Sequence, residues 1–339
     1  MNQKKRPLPR LLLSLGLLLV AAGCGDPPDV TIYCACDQVD SEPILREFEK
    51  QTGLRVRMEF DTEASKTVGL VNRIRKEKNR PRCDVFWNNE IAHTVSLGND
   101  GFLAEYDSPN AAGIPETFRD PQRRWTGFAA RARVFIVNTD LVDPKETTGM
   151  WDLVDPKWEG KSAMARPLTG TTLTHAVALF TVLGEEKTLE YLAAVKERVN
   201  LTRGNAHVMR LVRDGELKWG WTDTDDYNRA RVEGHPVTMV FPDAGEGELG
   251  TLFIPNTVAV LKEAPNPENA KRLVDYLLSI EVEKKLSELD GAQIPLHASL
   301  KDAPHQLPIG EMKAMEVDYA KIGAAMTERT LQLKEMFLD

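Results

Sequence analysis

Beyond an N-terminal apolar run, hydrophobic positions along the chain switch repeatedly between strand and helix periodicity. Val30-Thr-Ile-Tyr-Cys-Ala-Cys36 reads as a buried strand, and Leu54-Arg-Val-Arg-Met-Glu-Phe60 alternates as a second. Between them Ser41 to Thr52 carries Ile44, Leu45 and Phe48 at helical spacing and stops at Gly53. Val68, Val71 and Ile74 mark a helix over Thr67 to Lys78. Asp84 to Trp87 reads as a third strand, with a helix over Ile91 to Asp100 after it. Strand, helix, strand, helix, strand with short connections is the order of a parallel α/β sheet.

The alternation resumes downstream. Strands are predicted over Arg131 to Val137, Lys218 to Trp221, Val237 to Phe241 and Thr251 to Leu261. Helices are predicted over Thr171 to Leu183, Thr188 to Val199, Pro267 to Ser279 and Glu281 to Ser287, with a helical turn over Asn228 to Glu233. A long C-terminal helical region covers Ile309 to Phe337. The pattern suits two α/β domains: residues 29–128 with about 244–308 form the first, and 129–243 the second. Ligands of such sheets bind beyond the carboxyl ends of the strands, where connections diverge. Asp37-Gln38, Asn88-Asn89-Glu90, Thr169 to Thr172 and Thr222 to Tyr227 occupy those places.

Composition narrows the class. The 339 residues are enough for two domains with sizeable cores, and 42% hydrophobic against 28% charged residues is a globular balance. Lys4, Lys5, Arg6 and Arg10 precede an apolar run from Leu11 to Ala22 that falls short of the roughly 20 residues of a membrane span. Residues 1–23 therefore read as an export signal. Ala21-Ala22-Gly23-Cys24 resembles a bacterial lipobox, which implies lipidation at Cys24 and a tether over 24–28. Ala21 stands where that box usually has Leu, so cleavage by the ordinary signal peptidase is the alternative. Without the four basic residues of the signal, 39 Lys and Arg face 51 Asp and Glu, a net charge of -12. Such a surface repels nucleic acid and attracts cations. Cys34, Cys36 and Cys83 remain, as buried thiols or with one disulfide to Cys83 if their strands are neighbours.

Several segments, in order, resemble the family 1 extracellular solute-binding proteins of ABC transporters, especially the ferric-ion-binding branch. They are Glu42 to Gly53, Asp84-Val-Phe-Trp-Asn-Asn-Glu90, Gly127 to Val134, Trp151 to Lys161, Ala264 to Ala270 and Leu277-Leu-Ser279. The resemblance implies an α/β, two-domain periplasmic-binding (type II) fold with a hinge and an interdomain cleft. Domain closure around the ligand is the working motion of that fold. It also implies an ABC permease as partner and a monomeric receptor held to the membrane only by its lipid.

Ferric-binding members present a His after the first strand, a Glu after the third and a Tyr pair after a later one. Here Asp37 stands at the His position, Glu90 matches the Glu, and Asp225-Asp226 take the place of the Tyr pair, with Tyr227 following. Four converging carboxylates need a cation between them, and hard oxygen ligands suit Fe(III), Ca2+, Mg2+ or Mn2+. Fe(III) leads through the resemblance, with Tyr227 as a further oxygen donor. Another hard metal cation, or an organic cation such as a polyamine against Trp87, Trp221 and Tyr227, is the alternative. The turn Thr169-Gly170-Thr171 starts a helix whose free N–H groups can hold an anion. The resemblance assigns such a turn a synergistic anion, for instance phosphate or carbonate, assisted by Asn205 and Arg131. Helix capping by Thr169, Thr171, Asp37, Asp223 or Asp225 is the plainer role for the same residues.

Enzyme signatures are weak. Gly245-Glu-Gly-Glu-Leu-Gly250 has dinucleotide-loop spacing, but it precedes a strand and its glutamates would repel a pyrophosphate. The six histidines show no metal spacing. A hydrolase working with carboxylates distant in sequence is the competing class.

Overall fold

The computed structural model describes residues 27–61, 66–307 and 312–338. The signal segment and Cys24 lie outside the described residues. The first half of the chain contains β1 (Val30–Cys34), α1 (Gln38–Thr52), β2 (Val56–Phe60), α2 (Val68–Lys76), β3 (Val85–Asn88) and α3 (Ile91–Asn99). A long strand, β4 (Thr126–Asn138), leads to β5 (Ser162–Ala165), α4 (Gly170–Val182), α5 (Glu185–Arg198), β6 (Asn200–Thr202), α6 (Asn205–Arg213), β7 (Trp219–Asp223), α7 (Thr224–Val232) and β8 (Val237–Val240). The chain returns through β9 (Phe253–Val260), α8 (Pro267–Leu277) and α9 (Ile280–Glu288), and closes with α10 (Tyr319–Leu338).

Strand order is β2-β1-β3-β9-β4-β7-β5-β6, with β8 also on β4. β1 is parallel to β2 and β3, and β5 is parallel to β6 and β7. The parallel order expected of the first three strands is present, and the whole sheet is mixed, because β9 runs antiparallel to β3 and β4 runs antiparallel to β7, β8 and β9. Those two strands carry the chain between the two parallel halves. β4 begins five residues before the predicted strand. Thr126 to Ala132 pair with β9, and Arg133 to Val137 pair with β7. All thirteen of its residues are buried, including Arg131 and Arg133, so it lacks the in–out alternation of a half-exposed strand.

The register of β4 shifts between Phe128 and Ala130, where Ala129 takes φ 42°. A bulge of this kind re-aims the residues that follow. Its stray N–H is taken by Glu283 Oε1 at 2.7 Å, and its carbonyl accepts from Asn256. The next outward positions are Arg131 and Arg133, both buried. Thus a local irregularity, satisfied by α9 and β9, sets where two guanidinium groups enter the middle of the molecule.

The cores lie on both faces of the sheet. Val30, Ile32, Cys34, Phe48 and Trp87 share one cluster with α1, α8 and α9, while Phe135, Trp219, Trp221, Leu173 and Val177 belong to the other face. α10 begins at Tyr319, ten residues later than the predicted start, and packs against both α3 and α4. Gly323 makes that approach possible, since a Cβ there would meet Val95 Cγ1 at 2.3 Å. Cys34, Cys36 and Cys83 are buried free thiols. β1 and β3 are neighbours, but the Ile32↔Val85 register sets Cys83 level with Val30, away from Cys34 and Cys36. Burial pushes the Cys36 thiol up to about 12, although Arg131 pulls the other way.

Gly220 in β7 sits where β5 and α6 crowd the strand, with its Cβ position 2.6 Å from both the Ala163 carbonyl oxygen and Val208 Cγ1. Overpacking there has no flexible neighbour to yield on the backbone side. Gly220→Ala is expected to lower unfolding stability by about 1–3 kcal/mol, read by urea denaturation. An unchanged midpoint would mean that β5 and β7 separate easily.

Candidate ligand cleft

Each parallel βα unit ends its strand and opens its helix at the same edge of the sheet. The starts of α1, α4, α6 and α7 therefore meet, and Asn89 before α3 joins them. They enclose a cavity of about 30 Å³, lined by Asp37, Lys66, Asn89, Arg131, Ala165, Thr169 to Thr172, Gly204 to Ala206, Asp223, Asp225 and Asp226. Its size is roughly that of two or three water molecules. Thr169, Gly204 and Asp223 stand at the N-caps of α4, α6 and α7, and none of the three uses its side chain as a cap. The first-turn N–H groups of these helices give the cavity a fixed positive potential. Gly170 has φ +57° and open space at its Cβ position, so the backbone there can approach a ligand closely.

Fixed charges of both signs line the walls. Arg133 Nη1 meets Asp223 Oδ1 at 2.6 Å, and Arg131 Nη1 meets Asp225 Oδ2 at 3.1 Å, both pairs fully withdrawn from solvent. Lys66 pairs with Asp37. Burial acts to raise the Asp37 carboxyl, but the Lys66 ammonium and Arg131 outweigh it and hold it well below the usual carboxylate range. Burial raises Asp225, assisted by the nearby Asp223 and Asp37 and opposed by Arg131. Burial disfavours the charge on Arg131, but Asp225 together with Cys36, Asp223 and Asp37 more than compensates, so its guanidinium stays protonated.

The hydrogen-bond account of these pairs is incomplete. Asp225 Oδ1 has no donor, and neither Arg131 nor Arg133 has an acceptor for its Nε and Nη2; of the two arginines, Arg131 lines the cavity. Buried polar groups are normally paired, and an unmet one costs about 1–3 kcal/mol. Asp225 and Arg131 thus offer, in one cavity, an acceptor awaiting a cation or donor and donors awaiting an anion. Asp223, Asp225 and Asp226 place one oxygen each within 4.8 Å of one another. Thr222 Oγ1 donates to Asp226 Oδ2 at 2.8 Å.

Of the residues singled out from sequence, Asp37, Arg131, Thr169, Gly170, Thr171, Asn205, Asp225 and Asp226 line the cavity. Glu90 and Tyr227 do not. Glu90 turns inward as the N-cap of α3, accepting from Ala92 N at 2.7 Å, His93 Nδ1 at 2.8 Å, Asn88 Nδ2 at 3.0 Å and Thr174 Oγ1 at 2.7 Å. Burial would raise its pKa, but His93, Thr174 and Asn88 hold it below the ordinary value. Tyr227 packs with Ile136, Val208 and Met209, where burial raises its phenol and so disfavours a phenolate. Trp87 and Trp221 belong to the cores and present no ring to the cavity. Lys66 and Arg133 escaped the sequence reading. Arg133 follows Arg131 at the two-residue spacing that puts both on one side of a strand, and that was the available signal.

A mixed sheet with strands crossing between two α/β halves, and helix starts facing a shared cleft, defines a two-domain binding protein of the periplasmic type. The profile described as bacterial extracellular solute-binding protein matches residues 44–309. The chain belongs to that family. Iron-bound HitA from Pseudomonas aeruginosa superposes with a TM-score of 0.83 at 23% identity, over 92% of this chain and 99% of its own. Iron uptake protein A1 of Synechocystis sp. is 25% identical over 96% of this chain and 97% of that protein. A putative 2-aminoethylphosphonate-binding periplasmic protein of Salmonella typhimurium is 27% identical over 71% of this chain and 70% of its own length. Close members are transport substrate-binding proteins rather than enzymes, which removes the hydrolase reading. Family members are periplasmic and work with an ABC permease.

Arg131→Met would leave Asp225 buried without a countercharge. The expected cost is about 3–5 kcal/mol, read by urea denaturation, and Arg131→Met with Asp225→Leu should recover most of it. Equal losses in the single and double variants would show that the pair is not coupled.

Proposed function

We propose that this chain is an exported receptor that delivers Fe(III), together with a small anion, to an ABC permease. The observation that carries the reading is the coexistence of Asp225 Oδ1 without a donor and Arg131 without two acceptors in a single cavity. Asp225 and Asp226, with Asp37 across the cleft, supply hard oxygen ligands suited to Fe(III). The first turns of α4 and α6 and the Arg131 guanidinium supply the anion's seat. A cation and an anion side by side satisfy both needs. The iron uptake protein of Synechocystis and the iron-bound HitA structure support the cation.

In this reading residues 29–128 with about 244–308, and 129–243, move as two bodies about β4 and the return to β9. Ligand between them favours the closed state that the permease recognises. Cys24 carries the lipid that keeps the receptor, a monomer, at the membrane.

A second reading has its own support. Asp37, Asp223 and Asp225 each already face a basic side chain, which weakens their pull on a trivalent ion. A small zwitterion, an aminophosphonate being the example among the relatives, would meet the same two needs with an ammonium and an oxyanion.

Thermal unfolding of the mature chain separates the two. Fe(III), supplied as a weak chelate, with phosphate should raise the melting temperature more than either alone, by the equivalent of about 2.7 kcal/mol at a hundredfold excess over Kd. Asp225→Asn should abolish most of that shift. Stabilisation by 2-aminoethylphosphonate, with none from iron and phosphate, would transfer the assignment to the zwitterion.

A further inference from the structure

We infer that Asp223 is the positioning residue of the anion seat, not one of the ligands of the cation, although it sits within the acidic cluster. The inference rests on the anion half of the function proposed above. Both of its carboxylate oxygens are spent on the protein. Oδ1 takes Arg133 Nη1 at 2.6 Å, and Oδ2 accepts from Thr171 Oγ1 at 2.5 Å and Asn205 Nδ2 at 2.9 Å. Thr171 opens α4, Asn205 opens α6, Arg133 belongs to β4, and Asp223 itself stands at the start of α7. One buried carboxylate therefore ties three helix N-termini to the crossing strand.

The contacts around it lock the same corner. Asn205 Nδ2 also reaches Thr171 Oγ1 at 2.8 Å, and Thr172 Oγ1 donates to Asn205 Oδ1 at 3.0 Å. The hydroxyl of Thr171 and the amide of Asn205 have their donors turned inward, so they are not the groups that meet an anion. That leaves the first-turn backbone N–H groups of α4 and α6, at residues that line the cavity, to meet an anion, while Asp223 holds the Thr171 and Asn205 side chains. Charge does not spoil the seat, since the fully buried Arg133 guanidinium neutralises the carboxylate that does the holding.

The sign of one substitution distinguishes positioning from simple electrostatics. Asp223→Asn removes a negative charge beside the seat, and a purely electrostatic role would make inorganic phosphate bind more tightly. Positioning requires the reverse: calorimetric affinity for phosphate should fall at least tenfold in Asp223→Asn. Thr171→Val, which keeps shape and charge, should lose affinity in the same direction and covers the case in which Asp223→Asn fails to fold. Unchanged or tighter phosphate binding in Asp223→Asn or Thr171→Val overturns the inference. If the wild-type chain binds no phosphate, the proposed function fails, and amide hydrogen exchange still judges the positioning. Exchange at residues 170–172 and 205–206 should then accelerate together in Thr171→Val, and protection unchanged at either helix start overturns it.

Discussion

The fold depends on two buried ion pairs along one strand. Arg131 and Arg133 leave β4 on the same side and meet Asp225 and Asp223 at the junction of β7 and α7. Burying a guanidinium and a carboxylate is costly unless their geometry is good and the remaining hydrogen-bonding capacity is met. Arg133 with Asp223 meets that condition on the acidic side only, through Thr171 and Asn205, since Arg133 Nε and Nη2 have no acceptor. Arg131 with Asp225 leaves it unfulfilled, and the shortfall faces the cleft. One pair builds the cleft and the other leaves room for something to enter it.

That division explains how an acidic cleft can also seat an anion. Counted by residue, Asp37, Asp223, Asp225 and Asp226 face Lys66, Arg131 and Arg133, so the cleft is closer to neutral than the cluster of aspartates suggests. Helix N-termini then tilt the local potential positive at the α4 and α6 side, while the open oxygen of Asp225 offers a negative site to the cavity. A cavity polarised in this way selects a ligand that brings its own opposite charges.

Much of this was legible in the sequence, for definable reasons. The strands and helices with apolar spacing, such as β1, α1 and α2, emerged within a few residues of their bounds, because periodicity is local. β5 and β6 were missed: Ser162-Ala-Met-Ala165 has little strand propensity, and β6 is only three residues long. α6 was missed although Val208, Met209 and Val212 carry a helical stripe. The first half of β4 was missed because a strand buried on both faces does not alternate. Sheet direction depended on β4 and β9 running back through the middle, which no local pattern records. At the site, family order brought most cavity-lining residues into view but could not show side-chain direction. Glu90 keeps its place in the order yet spends its carboxylate on capping α3 and on Thr174, and Tyr227 turns into an apolar cluster. The Arg133–Asp223 pair joins residues 90 positions apart, beyond any motif.

Crystals grown with Fe(III) and phosphate, with data collected at the iron absorption edge, test the central claim most directly. One anomalous peak is expected within bonding distance of Asp225 and Asp226, and a tetrahedral anion against the first turns of α4 and α6 beside Arg131. An iron peak elsewhere on the molecule, or an occupied cleft in which Arg131 and Asp225 both remain without new partners, would contradict it.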